Sequence, residues 1–112
     1  MQRLWAIMYA ADVDVVFNGH DHHYERFSPQ NPAGAVDTLK GIEQFIVGTG
    51  GADLRGFRSR FGFRDVAPAQ HSVVRVQGHY GVIVLSLGAK EYQTAFLDVE
   101  GRVWDRTQRQ CR

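Results

Sequence analysis

The alternation of apolar and polar positions divides the chain into one helix and a series of short strands. Leu4, Ile7, Met8 and Ala11 recur at i, i+3, i+4 and i+7, the spacing of one apolar helical stripe, so residues 3–11 are expected to be helical and to stop at Asp12. Val13, Val15, Val16 and Phe17 form a nearly continuous apolar run, which suits a buried strand in a sheet covered on both faces. Ile42 to Gly48 reads as a second strand, closed by Thr49-Gly50-Gly51, and Ser72 to Val76 as a third. Tyr80–Leu87 and Glu91–Val99 are the clearest strands, joined through Gly88-Ala89-Lys90 as a tight hairpin. Within the second of these, Thr94, Phe96 and Asp98 alternate with Ala95, Leu97 and Val99, so one face should be better buried. Glu100-Gly101 marks a turn before a last short strand, Arg102–Asp105. Pro29, Pro32 and Gly34 mark Ser28–Asp37 as an irregular loop, and Leu54–Pro68 reads as another.

Composition restricts this picture without deciding function. With 112 residues the chain is one small domain, and 44% hydrophobic with 22% charged residues is ordinary for a globular protein. Apolar runs fall well short of the roughly 18 residues of a membrane helix, so no membrane partner is expected. A single cysteine, Cys111, excludes an intrachain disulfide and a cysteine-based zinc cluster, and leaves the compartment open. Met1 to Leu4 leads into a segment broken by Asp12 and Asp14, without the pattern of a secretory leader. Arg55, Arg58, Arg60 and Arg64 interleave with Phe57, Phe61 and Phe63 in a manner that suits nucleic-acid binding. A net charge of +1 and the absence of an RNA-binding fingerprint argue for a solvated loop instead, and no nucleic acid is expected.

Candidate chemistry is concentrated in Asn18-Gly-His-Asp-His-His-Tyr-Glu-Arg26. Helix, strand and glycine turn precede it, so His20 and His22 fall just past the carboxyl end of a strand, where α/β sheets gather ligands and metals. In an extended segment the two imidazoles would share one side, with backbones roughly 6–7 Å apart. That separation can bracket two metal ions about 3.5–4 Å apart. The gap from His22 to Glu25 is shorter than in cupin barrels, a helix precedes it, and no second histidine half-motif follows. These departures argue against a cupin.

Gly19-His20-Asp21-His22 with Tyr24-Glu25-Arg26 resembles the last metal-binding motif of calcineurin-like metallophosphoesterases, and the Tyr-Glu-Arg extension resembles the purple acid phosphatase branch. Phe45–Gly51, Tyr80-Gly81-Val82 with Leu85 and Leu87, Tyr92, Phe96, Asp105 and Cys111 resemble the rest of that branch's closing portion. The resemblance implies an α/β, strand-rich C-terminal part of a four-layer α/β/β/α sandwich. It implies that His20 ligates one metal of a dinuclear centre and His22 the other, two divalent or trivalent ions (iron, zinc or manganese), acting on a phosphate ester. Asn18 and Asp21 are candidates to orient the imidazoles, Gly19 belongs to the turn, and Tyr24, Glu25 and Arg26 read as structural, with Glu25 and Arg26 able to fix the loop. His23 is a weaker candidate to approach substrate phosphate, and packing or solvent exposure is the competing reading; His71 and His79 read as ordinary surface or edge histidines.

The family also supplies Asp-x-His, a Gly-Asp motif with a bridging aspartate, an Asn-His pair and a further histidine, all before Gly-His-x-His; none occurs between Met1 and Asn18. The expectation is therefore a C-terminal segment, incomplete as a catalyst, whose partner would be the N-terminal half. A non-catalytic remnant or interaction module is the alternative. Apolar faces that such a half would cover are expected to be exposed. Relatives of the branch often act outside the cytoplasm, but the residues that would show export are missing here.

Overall fold

The computed structural model describes residues 2–54 and 69–112. They form a strand-rich globule with one short helix and two sheets. Helix α1 (Gln2–Ala10) leads into β1 (Val15–Asn18), followed by β2 (Tyr24–Gln30), β3 (Ile42–Val47), β4 (Ser72–Val76), β5 (Gly81–Leu87), β6 (Glu91–Asp98) and β7 (Val103–Gln110). The first sheet has the order β1-β3-β2-β4, with β1 parallel to β3 and the other pairs antiparallel. The second, β5-β6-β7, is an antiparallel meander. Among the described residues no helix is long and apolar enough to cross a membrane.

The two sheets meet through a small aromatic core. Tyr24 of β2 stacks on Phe96 of β6 with ring centroids 4.2 Å apart, and Phe45 of β3 stacks on Phe17 of β1 at 5.2 Å. Tyr24, Phe45, Val76 and Phe96 are buried together, with Val15, Val47, Val74 and Ile83 packed around them. Offset aromatic pairs of this kind contribute roughly 0.5–1.5 kcal/mol beyond their buried area.

Around this core the facing positions are polar, and they are paired across the interface. The Arg26 guanidinium of β2 donates from Nε to Asp105 Oδ2 (2.7 Å) and from Nη2 to Oδ1 (3.1 Å), a two-pronged contact with β7. The Tyr24 hydroxyl donates to the same Oδ2 at 2.7 Å. Glu43 of β3 lies 4.0 Å from Arg26 Nη1 and accepts from the Tyr92 hydroxyl of β6 at 3.0 Å. Arg109 of β7 donates to the Gly41 carbonyl at 3.0 Å. At the other end of β3, Thr49 Oγ1 donates to the Gly81 carbonyl (2.9 Å) and accepts Gly81 at its own carbonyl (3.1 Å). Burial and then the Asp105 acceptor hold the Tyr24 phenol far above its ordinary pKa; burial and then the Glu43 charge do the same for Tyr92. Burial works against the Arg26 charge, but Asp105 outweighs it and keeps the guanidinium protonated.

Two expectations, both on strand limits, are corrected. Tyr24–Gln30 is a strand, extending into what reads as a loop from Ser28; Pro29 falls where the register to β3 shifts between Phe27 and Gln30, a position that tolerates a missing N–H. The last strand runs to Gln110 instead of ending at Asp105, because its inward positions, Asp105, Thr107 and Arg109, face polar partners and carry no apolar alternation. The helix forms, yet its Leu4/Ile7 stripe points outward, 51% and 59% exposed. It is held instead by the Trp5 indole N–H on the Gln30 carbonyl (3.1 Å) and the Tyr9 hydroxyl on Asp37 (2.9 Å). The four-layer arrangement is not seen in the described residues, which give two sheets and one helix. The hairpin is present, and Tyr92, Thr94, Phe96 and Asp98 are its buried face.

Truncating Asp105 to alanine should destabilise the fold by roughly 3–5 kcal/mol, because the Arg26 charge is left buried without its partner. Tyr24→Phe should cost about 1 kcal/mol. Denaturant unfolding checks both, and an Asp105→Ala loss no larger than that of Tyr24→Phe would contradict the clamp. Burial, partly offset by Tyr92 and Arg26, raises the Glu43 pKa. An acid raised on folding contributes stability that is present below its ordinary value and lost as pH rises through the folded value. Glu43→Gln should therefore gain stability relative to the parent as pH rises above the ordinary glutamate value. Parallel pH profiles of the two proteins would count against this.

Candidate metal centre

Because β1 and β3 run parallel, their carboxyl ends lie side by side, and the segments that follow them meet. Residues 19–23 form a bend between β1 and β2, and residues 48–54 continue from β3. Gly48 is where they touch. A Cβ there would fall 1.8 Å from the Asp21 carbonyl oxygen and 3.3 Å from His22 Cα, so only glycine lets the histidine loop lie on the end of β3. The sequence showed this glycine as turn punctuation; its cause is the close approach of a second backbone.

The loop is curled where an extended segment was expected. His20 has φ 77°, a left-handed conformation uncommon for a side-chain-bearing residue, so His20 and His22 do not follow i, i+2 strand geometry. Strain of this kind persists where surrounding contacts fix it, and it recurs at ligand-binding sites. His20 is exposed and His22 half-buried.

The His22 ring is anchored by its Nδ1, which is hydrogen-bonded to the Asp53 backbone carbonyl. A carbonyl only accepts, so Nδ1 carries the proton and the neutral ring presents Nε2 as its lone-pair donor. Ligating histidines are commonly held in this way, through the other ring nitrogen. Asn18 and Asp21, the expected orienting partners, are not the groups on His22. Asn18 Oδ1 instead accepts from Gln44 Nε2 at 2.8 Å across the β1–β3 ladder, and Asp21 is exposed and supplies the carbonyl over Gly48. Asp53 carried no sequence signal, because a backbone acceptor is independent of its side chain.

Gly19 begins the bend and has open space around its α-carbon among the described residues. His23 turns away from the rim: its Nε2 lies 3.1 Å from Glu25 Oε1, with the side chain 12% exposed. Glu25 faces away from the clamp, accepts the Ser72 hydroxyl of β4, and lies 3.8 Å from Arg75 Nε. Tyr24 and Arg26 point the other way, into the clamp. His71 reaches the Gly34 carbonyl (3.0 Å), and His79 stacks against Trp104 with centroids 4.5 Å apart. The Arg55–Arg64 stretch lies outside the described residues.

Imidazole nitrogens as a class suit zinc and iron. Among the described residues there is no group of three or more His, Cys, Asp or Glu that could hold a metal ion. No protein family matches the chain, and no curated protein does either.

Gly48→Ala should displace the Asp21–His22 backbone, since the clash is with main chain that no rotamer change relieves. The expected loss is about 1–3 kcal/mol of stability, with broadened or shifted imidazole signals for His20 and His22. A variant with parental stability and an unchanged histidine spectrum would contradict this packing.

Proposed function

We propose that the chain carries two terminal metal ligands, His20 and His22, of a dinuclear metallophosphoesterase of the purple acid phosphatase-like branch, acting on phosphate esters. The observation that carries the reading is the ring of His22, whose Nδ1–H donates to the Asp53 carbonyl and leaves Nε2 open. The left-handed His20 beside it supports the same assignment. Two metal ions held there would lower the pKa of a bound water and clamp the attacking and leaving oxygens of a phosphoryl displacement. The protein's own part is to hold the His22 ring by its Nδ1 and to keep the histidine loop outside the packed core.

The remaining ligands are proposed to come from a segment bearing the Asp-x-His, Gly-Asp and Asn-His motifs. The open sides of the globule support a docked segment of this kind. Among the described residues β1 and β5 are edge strands, and Val82, Val84 and Leu87 of β5 are 58%, 48% and 74% exposed. Leu4 and Ile7 on α1 are exposed as well. Patches of this kind favour association.

Para-nitrophenyl phosphate tests the proposal. With zinc, iron or manganese and a co-expressed segment carrying the upstream motifs, turnover should appear, and His22→Ala should reduce it by at least about a hundredfold. No turnover in that mixture would sink the phosphoesterase reading and leave an interaction module.

A further inference from the structure

We infer that Glu25 is a positioning residue for the metal-ligand loop, acting through His23 and braced by Ser72 and Arg75 of β4. The inference rests on the metal-site reading above and names residues that neither ligate nor touch the ligands' own hydrogen bonds.

The geometry is a relay from a sheet edge to the loop. Glu25 sits second in β2, directly across from Arg75 of β4 in the ladder, and is only 6% exposed. One carboxylate oxygen, Oε1, accepts from His23 Nε2 at 3.1 Å. The other, Oε2, accepts the Ser72 hydroxyl and lies 3.8 Å from Arg75 Nε. A buried carboxylate engaged on both oxygens from opposite sides has little rotational freedom, so the His23 ring it holds is fixed as well. His23 is bonded directly to His22 in the chain and closes the bend that carries both ligands. Its position therefore sets where the preceding backbone runs. The bend is held at one end by Gly48 under Asp21, at its middle by Asp53 on the His22 ring, and at its exit by Glu25 on His23. Of these three ties, the Glu25 tie alone reaches β4, which is remote from the ligands in sequence.

Outer partners of metal ligands typically alter affinity by about 10–100-fold when removed. Zinc alone, titrated into the full chain, is the probe. Glu25→Gln and the milder Ser72→Ala should each weaken zinc binding about tenfold relative to the parent. In a His23→Ala background, Glu25→Gln should have no further effect, because its route to the ligands is gone. In the metal-free protein, the ring nitrogen signals of His23 should move in Glu25→Gln, followed by those of His22. Parental zinc affinity in both variants, alongside a loss in His20→Ala/His22→Ala, would overturn the relay and leave the metal site standing. A Glu25→Gln loss that persists undiminished in the His23→Ala background would also overturn it, since general loosening would then be the cause. Equal zinc binding by the parent and His20→Ala/His22→Ala would overturn the metal site, and the relay with it.

Discussion

The clamp between Asp105 and the Arg26–Tyr24 pair is the interaction on which the rest of this molecule depends. It joins β7 to β2, and so one sheet to the other, at the point where Tyr24 stacks on Phe96. The apolar core is small, and without this polar joint the two sheets would share only a few aromatic contacts. A buried charged pair is weak evidence for net stability, because desolvation offsets attraction. Its stronger effect here is on register. A two-pronged guanidinium–carboxylate contact tolerates little sliding, and Tyr24 shares the same oxygen.

That fixed register has a consequence one residue further along β2. Successive side chains of a strand face opposite ways, so with Tyr24 and Arg26 committed to the clamp, Glu25 must face the other side. There it meets His23, Ser72 and Arg75. The Tyr-Glu-Arg triplet thus fastens the sandwich with its outer members and the histidine loop with its middle one. Gly48 and the Asp53 carbonyl complete the support from the neighbouring strand end. The loop carries strain at His20, and these backbone-level contacts hold it there.

Much of this was legible in the sequence, and the failures share a cause. Hydrophobic patterning located the β5–β6 hairpin, β3 and the helix, because apolar residues recur in them at strand or helix spacing. It lost β2 and most of β7, where the positions facing the other sheet are mostly polar: Arg26 beside Tyr24 on β2, and Asp105, Thr107 and Arg109 on β7. A strand that buries charge against charge has no apolar period to read. The helix forms as its spacing implies, but Trp5 and Tyr9 attach it by hydrogen bonds and leave the Leu4/Ile7 stripe outward. His20 and His22 were singled out by their spacing and the preceding glycine, and the left-handed His20 departs from the extended geometry that the spacing implied. What orients His22 was invisible, since the Asp53 contact is made by backbone and closes a gap of more than a turn in sequence.

The functional account rests on a single protonation pattern. If the Asp53 carbonyl holds the His22 ring as the geometry requires, neutral His22 exists as the Nδ1–H tautomer with Nε2 open for a ligand. Long-range nitrogen–proton correlation of the imidazole in the metal-free chain, at a pH where the ring is neutral, reads this directly. The account predicts a His22 pattern with the proton on Nδ1 and an unprotonated Nε2. A His22 ring protonated at Nε2, or exchanging freely between the two tautomers, would contradict it.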